Sequence, residues 1–239
     1  MDHSRANDVD MQREYYRQTA QQYDELHGGQ HHPQHAVSLA FLTGALGWLD
    51  AASLLDVGAG TGRVLRHLRC HRPELRLVGI EPVAELRQAG HEAGLAPTEL
   101  IAGDGAALAF ADDAFDVVSA FGMLHHVRHP EQVVAEMLRV ARRAIFISDA
   151  NYLGQGSRPV RWLKRCITAA GLWRLTDHLK TRGRGYSVSE GDGLSYSYSV
   201  FQDLPLIRRS CRDVYLLNTG SDRPNLYADA PSVALLAVK

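Results

Sequence analysis

The segment LLDVGAGTGRV, residues 54 to 64, constrains this chain more than any other. Ser53 to Val57 is a short apolar run that stops at glycines, as a buried parallel strand does. Gly62 to Cys70 follows with helical spacing. Between them Gly58, Gly60 and Gly62 mark a backbone that turns sharply and lets a ligand come close, and glycine permits both. A strand, a glycine turn and a helix opening on that turn form the first unit of an open α/β sheet.

The same alternation continues downstream. Strands are predicted at Arg76 to Ile80, Leu100 to Ala102, Phe115 to Ala120 and Ala144 to Ser148, with helices at about Val83 to Ala93 and Glu131 to Ala141. This predicts a doubly wound, Rossmann-like parallel sheet with helices on both faces. After Ser148 the alternation stops. One basic helical stretch precedes GRGYSVSEGDGLSYSYSVF, and Val214 to Asn218 and Ser232 to Val238 then read as an antiparallel hairpin closing the sheet edge. Upstream, residues 1 to 10 read as a frayed polar start, Met11 to Leu26 as a helix, and His35 to Leu46 as a second helix after the break GGQHHPQH. The expected organisation is one domain, 1–239. It has N-terminal lid helices at 11–47, a binding core at 50–150, a cap insertion at 151–205 and closing strands at 206–239.

Composition narrows the function classes. A formal net charge of −1 gives no global field to recruit nucleic acid or an anionic membrane. No apolar run nears the roughly 20 residues that span a bilayer, and MDHSRANDVDMQREYY has no apolar core of a secretory signal. Cys70, Cys166 and Cys211 are scattered, which fits reduced thiols and a cytoplasmic location. His31, His32 and His35 have no matching carboxylate or cysteine pattern, so no metal is expected. The basic residues of Arg158 to Arg184 alternate with Leu163, Ile167, Leu172 and Leu175, the spacing of a solvated helix face. The partner expected is a small molecule, for a monomer or homodimer.

The glycines alone do not choose between cofactors, since nicotinamide-binding domains place G-x-G-x-x-G at the same turn. Here the spacing is G-x-G-x-G with Arg63 following, and Glu81 ends the second strand, where a carboxylate can accept from both hydroxyls of a ribose. Ligands of open α/β sheets lie at the strand carboxyl ends, which directs Asp56, Glu81 and Asp104 to one crevice. Two readings stand for Asp56, ligand contact or support of the loop, and two for Asp104, ligand contact or a turn.

The run LLDVGAGTG, then GIEP, then GDGAALAFADDAFDVVSAFGMLHHV, resembles the class I S-adenosylmethionine-dependent methyltransferases, in particular their small-molecule branch. The resemblance covers about residues 50–148, and 11–47 more weakly. It implies S-adenosylmethionine as cosubstrate, with Gly58 and Gly60 against its methionine and ribose portions and Glu81 on the ribose diol. It further implies Asp104 on the adenine amine with Gly105 nearby, Pro82 and Val83 flanking adenine, and the backbone around Phe121 at the sulfonium.

A sulfonium is stabilised by aromatic faces, at about 0.5–2 kcal/mol each. Tyr15, Tyr16 and Tyr23 on the first helix are candidates for a lid over it. Tyr196 and Tyr198, if extended, share one face and belong either to the site or to the core. His125 and His126 follow the fourth strand, where the acceptor would sit, and two readings stand for them, a general base or histidines without catalytic use. The expected reaction is methyl transfer to a small polar acceptor in natural-product or cofactor biosynthesis. An alternative comes from a looser resemblance of the segment after Ser148 to azetidine-2-carboxylate synthases. There the α-amine of S-adenosylmethionine attacks its own γ-carbon and expels methylthioadenosine, with Asn151 holding the amine or carboxylate and Phe146, Tyr196 and Tyr198 around the sulfonium. A third alternative is a module that binds the ligand without turnover.

Overall fold

The computed structural model describes residues 3–19, 33–189, 192–223 and 225–239. Tyr23, His31 and His32 lie outside the described residues, as does the second half of the expected first helix.

The parallel alternation is present in full. Strands β1 (Ser53–Val57), β2 (Arg76–Ile80), β3 (Leu100–Ile101), β4 (Phe115–Phe121) and β5 (Ala141–Ala150) run parallel, and β9 (Ser232–Val238) and β8 (Asp213–Asn218) are antiparallel at one edge. The order is β3-β2-β1-β4-β5-β9-β8. Helices α2 (Pro33–Trp48), α3 (Arg63–His71), α4 (Ala84–Glu92) and α5 (Pro130–Val140) belong to this layered body.

The central strands are buried on both faces, and their residues divide by parity. Leu55, Val57, Val118, Ala120, Ile145 and Ile147 join one core with α5, while Leu54, Val117, Ala144 and Phe146 join the other with α2 and α3. β1 pairs with β2 on one side and β4 on the other, which sets Asp56 level with Gly79 and Ser119. β5 runs longer than the apolar stretch suggests because β9 pairs with it from Ala144 to Ala150.

Two parts differ from the sequence expectation. Helix α1 (His3–Thr19) begins where a frayed start is expected, and no glycine or proline interrupts it. The basic stretch is two helices, α6 (Arg158–Ala169) and α7 (Trp173–Lys180), separated at Gly171 with φ +72°. Its apolar residues do not pack inward: Leu163, Leu172 and Leu175 are 53%, 53% and 59% exposed. The face of α6 that is buried is polar instead. Arg161 is enclosed, donating to Asp229 Oδ1 at 3.1 Å and Gly156 O at 2.7 Å, and Lys164 donates to Tyr152 O at 2.8 Å. A short antiparallel pair, β6 (Ser187–Ser189) with β7 (Gly193–Ser195), then returns the chain to the turn after β4, where Tyr196 N donates to His125 O at 2.8 Å. Helices α8 (Leu204–Ser210) and α9 (Leu226–Asp229) complete the described elements. Among the described residues no helix is long and apolar enough to cross a membrane.

Candidate functional site

The glycine loop explains its own spacing. Gly58, Gly60 and Gly62 have φ of +67°, +57° and +75°, so every second residue sits in the left-handed region that side chains avoid. Gly62 also caps the start of α3. The loop is tied to β2 by Ala59 N donating to Ile80 O at 2.9 Å, and by Glu81. Glu81 is buried; its Oε2 accepts from Gly60 N at 3.0 Å and its Oε1 from Val83 N at 2.9 Å. Burial raises the pKa of Glu81, and the two N–H bonds and nearby Arg87 oppose that rise. Asp56 lies beneath the loop, fully enclosed, with Ser119 Oγ donating to it at 2.7 Å. Burial pushes its pKa up to about 7 against that hydrogen bond and Arg63.

Above the loop a cavity of about 280 Å³ is lined by Gly58, Glu81, Pro82, Val83, Asp104, Gly105 and Met123, with Gln12, Arg13 and Tyr16 from α1. Asp104 forms the turn as well: its Oδ1 accepts from Ala106 N at 2.9 Å while the residue remains exposed to the cavity. A second crevice of about 470 Å³ adjoins the first. Tyr16, Phe121, Gly122 and His126 line both. The second space is bounded mainly by polar groups, among them Gln34, His35, Arg63, Ser148, Asp149 and Gln155.

His125 stands at the border of this crevice. Its Nδ1 is 2.6 Å from Asp149 Oδ1 and its Nε2 is 3.2 Å from Asp192 Oδ2. Burial would lower its pKa, but the two carboxylates prevail and raise it to about 10. A base is therefore not ready here, because both ring nitrogens already face carboxylates. Burial would likewise raise Asp192, yet hydrogen bonds from His125 and His126 hold its carboxyl well below the usual range.

Several sequence candidates have other surroundings. Asn151 is fully buried; its Nδ2 donates to Ala230 O at 2.9 Å, Tyr227 O at 3.0 Å and Leu226 O at 3.2 Å, and its Oδ1 accepts from Ser199 Oγ at 2.9 Å. It has no capacity left for a substrate amine. Phe146 is a core residue behind Phe121, stacked on it at 5.3 Å between centroids, and does not itself face the crevice. Tyr196 and Tyr198 both line a cavity of about 270 Å³ beside His125, yet they do not form an extended stripe. Tyr198 N donates to Tyr196 O at 2.8 Å, a three-residue turn that breaks the extended geometry. Tyr196 lines the nucleotide-side cavity, whereas Tyr198 is buried and donates its hydroxyl to Asp203 Oδ2 at 2.7 Å. Tyr15 packs on Tyr16 and against Gly193, and Tyr16 is the tyrosine at the opening.

Residues that sequence reasoning missed include Gln12, Arg13, Met123, Asp149 and Asp192. Asp149 carried a usable signal, because it ends a parallel strand as Glu81 and Asp104 nearly do. Asp192 carried none.

A parallel sheet of this order, a loop with alternating left-handed glycines and a carboxylate clasping it define a class I S-adenosylmethionine-dependent methyltransferase fold. The family model described as "Methyltransferase domain" matches residues 55–146. Residues 55–146 thus match a methyltransferase domain, the domain type whose cosubstrate is S-adenosylmethionine. Over 119 residues it is 34% identical to phosphatidylethanolamine N-methyltransferase of Cereibacter sphaeroides, covering 48% of this chain and 57% of that protein. Over 98 residues it is 34% identical to demethylmenaquinone methyltransferase of Renibacterium salmoninarum, covering 41% and 40%. The chain spans about half the length of the curated relatives it matches. Magnesium protoporphyrin IX methyltransferase from Synechocystis PCC 6803, solved with bound SAH, has a similar fold: TM-score 0.62, 16% identity, 97% of this chain and 99% of that one.

Proposed function

We propose that this protein transfers the methyl group of S-adenosylmethionine to a small polar acceptor held in the 470 Å³ crevice. The observation that carries the reading is the shared border of the two spaces, formed by Tyr16, Phe121, Gly122 and His126. A ligand with its ribose at Glu81 and its adenine between Pro82, Val83 and Asp104 brings its sulfonium to that border. The aromatic faces of Tyr16 and Phe121 stabilise the cation and exclude water from it. An acceptor in the crevice then approaches the methyl carbon from the side opposite the sulfur. Positioning of this kind supplies much of the rate of a displacement without requiring a base. The polar lining of the crevice supports a polar acceptor, and biosynthesis of a small molecule is the role that accords with it.

The experiment is incubation with S-adenosylmethionine alone, then with a panel of amine, hydroxyl and thiol acceptors, followed by product analysis. S-adenosylhomocysteine formed only when an acceptor is present supports the proposal. Methylthioadenosine from S-adenosylmethionine alone would replace it with the intramolecular cyclisation. Tight binding without turnover across the panel would leave a binding module.

A further inference from the structure

Methyl transfer by positioning gives no chemical role to one group of titratable side chains. His125 and His126 come from the turn after β4, and Asp192 from beside β7. The Nδ1 of His125 faces Asp149 Oδ1 at 2.6 Å, and the Nδ1 of His126 faces Leu194 O at 2.5 Å. Carbonyl and carboxylate oxygens only accept, so each Nδ1 carries its ring's proton. Gln12 Nε2 also lies 3.2 Å from His126 Nδ1, but it has the Asp192 carbonyl to donate to at 3.3 Å. In the neutral imidazoles both Nε2 atoms then present lone pairs.

Both Nε2 atoms face one carboxylate. His125 Nε2 is 3.2 Å from Asp192 Oδ2, and His126 Nε2 is 3.4 Å from Asp192 Oδ1. Either protons on the two Nε2 atoms bridge these contacts, as hydrogen bonds to Asp192, or a cation that displaces those protons does. The three ligand atoms lie within 4.8 Å of one another, the one such trio among the described residues. A tetrahedral ion bound at about 2.0–2.1 Å to nitrogen and oxygen sets its ligands about 3.4 Å apart, a spacing the trio reaches once one Asp192 oxygen turns towards both imidazoles. Asp149 supplies the outer carboxylate that fixes the tautomer of a metal-bound histidine.

We propose that His125, His126 and Asp192 form a binding site for a divalent transition-metal ion of the zinc type, with Asp149 orienting His125. Two imidazoles and a carboxylate suit zinc and its neighbours, whereas magnesium and calcium favour all-oxygen sites. All three ligands line the 470 Å³ crevice, so the remaining coordination position opens where a heteroatom of a small molecule can reach it. The sequence hides the site because Asp192 is remote from the two histidines and no spacing motif links them.

The test uses chelator-treated full-length protein and Zn²⁺ alone, by calorimetry, with Co²⁺ absorption to report coordination. His67 and His71, a stacked pair on α3 at 4.1 Å, are the competing surface site. Expected are one Zn²⁺ per chain in the wild type and in the His67→Ala/His71→Ala variant, and at least a tenfold loss of affinity in Asp192→Ala and His126→Ala. The Co²⁺ form should show the intense visible bands of a four-coordinate site, absent in Asp192→Ala. Asp192→Asn, which keeps an oxygen acceptor for the two imidazoles, is expected to lose the same affinity while keeping the wild-type circular dichroism, so the loss of binding is not a loss of fold. Binding unchanged in Asp192→Ala, binding lost only in the His67/His71 variant, or no stoichiometric binding by the wild type would each overturn the site.

Discussion

Glu81 holds the glycine loop with both carboxylate oxygens, and a ribose diol would use the lone pairs that remain. Removing it leaves Gly60 N and Val83 N without acceptors and takes away the proposed ribose contact. Glu81→Ala is expected to weaken S-adenosylmethionine binding by about 1.5–3 kcal/mol, the scale of a hydrogen bond to a charged group. Calorimetry showing unchanged affinity would confine Glu81 to loop support. Asp56 differs in kind, because nothing but Ser119 and the distant Arg63 offsets its burial. Its folded pKa of about 7 exceeds the unfolded value of about 3.9. Between those values the folded chain holds a proton that the unfolded chain has lost, so stability falls as pH rises through that window. Asp56→Asn retains an acceptor for Ser119 and abolishes the charge. Its melting temperature relative to wild type should therefore climb from pH 5 to pH 8, whereas a flat difference would mean that Asp56 is ionised throughout. Both residues were legible as carboxylates at strand ends, but only the structure separates the one at the cavity wall from the one beneath the loop.

At the scale of elements, the sheet could be read directly because its central strands are apolar on both faces, and β1 and β4 run straight into glycine. The segment after β5 obeys no such rule. Its helix α6 buries an arginine and exposes Val160, Trp162 and Leu163, and a single turn at Ser197 leaves one tyrosine of an apparent stripe half-buried and the other in the core. Those local reversals are set by tertiary partners, and periodicity does not record them. The consequence is testable on Asn151, which joins the end of β5 to α9 through three carbonyls and receives Ser199 as well. Asn151→Ala strands those buried groups and should cost about 3 kcal/mol of stability, since each unsatisfied buried polar group costs about 1–3 kcal/mol. Tyr198→Ala should cost about as much, by analogy with other large aromatic truncations in cores. Tyr196→Ala should lower turnover or cosubstrate affinity while the urea midpoint stays near wild type. If Asn151→Ala or Tyr198→Ala folds with undiminished stability and only turnover falls, those side chains act on substrate after all.

Across the whole molecule, the proposed site joins the legible α/β core to the two parts of the chain that the sequence made least legible. The cosubstrate wall belongs to the α/β core, yet its roof comes from α1 and its border with the acceptor crevice meets β7. Gln12 joins these parts: Leu194 N donates to its Oε1 at 2.5 Å, across a sequence separation of 182 residues. Glutamine at that position carries no signature, and the contact exists only because the sheet brings α1 and the post-sheet segment over the same strand ends. The same helix supplies Arg13 and Tyr16 to the cavity, so ligand and hairpin hold α1 together. Binding should then stabilise the helix, because a ligand that contacts only the docked form shifts α1 towards it. Amide exchange in His3–Thr19 is expected to slow on addition of S-adenosylmethionine. Gln12→Ala loses a hydrogen bond of about 1 kcal/mol and leaves Leu194 N without its acceptor, which should raise the dissociation constant roughly fivefold. It should also speed exchange in α1 of the unliganded protein while exchange in β1 and β4 stays unchanged. Exchange in α1 that is indifferent both to the ligand and to Gln12→Ala would mean that the helix is a fixed wall, with closure of the site lying elsewhere.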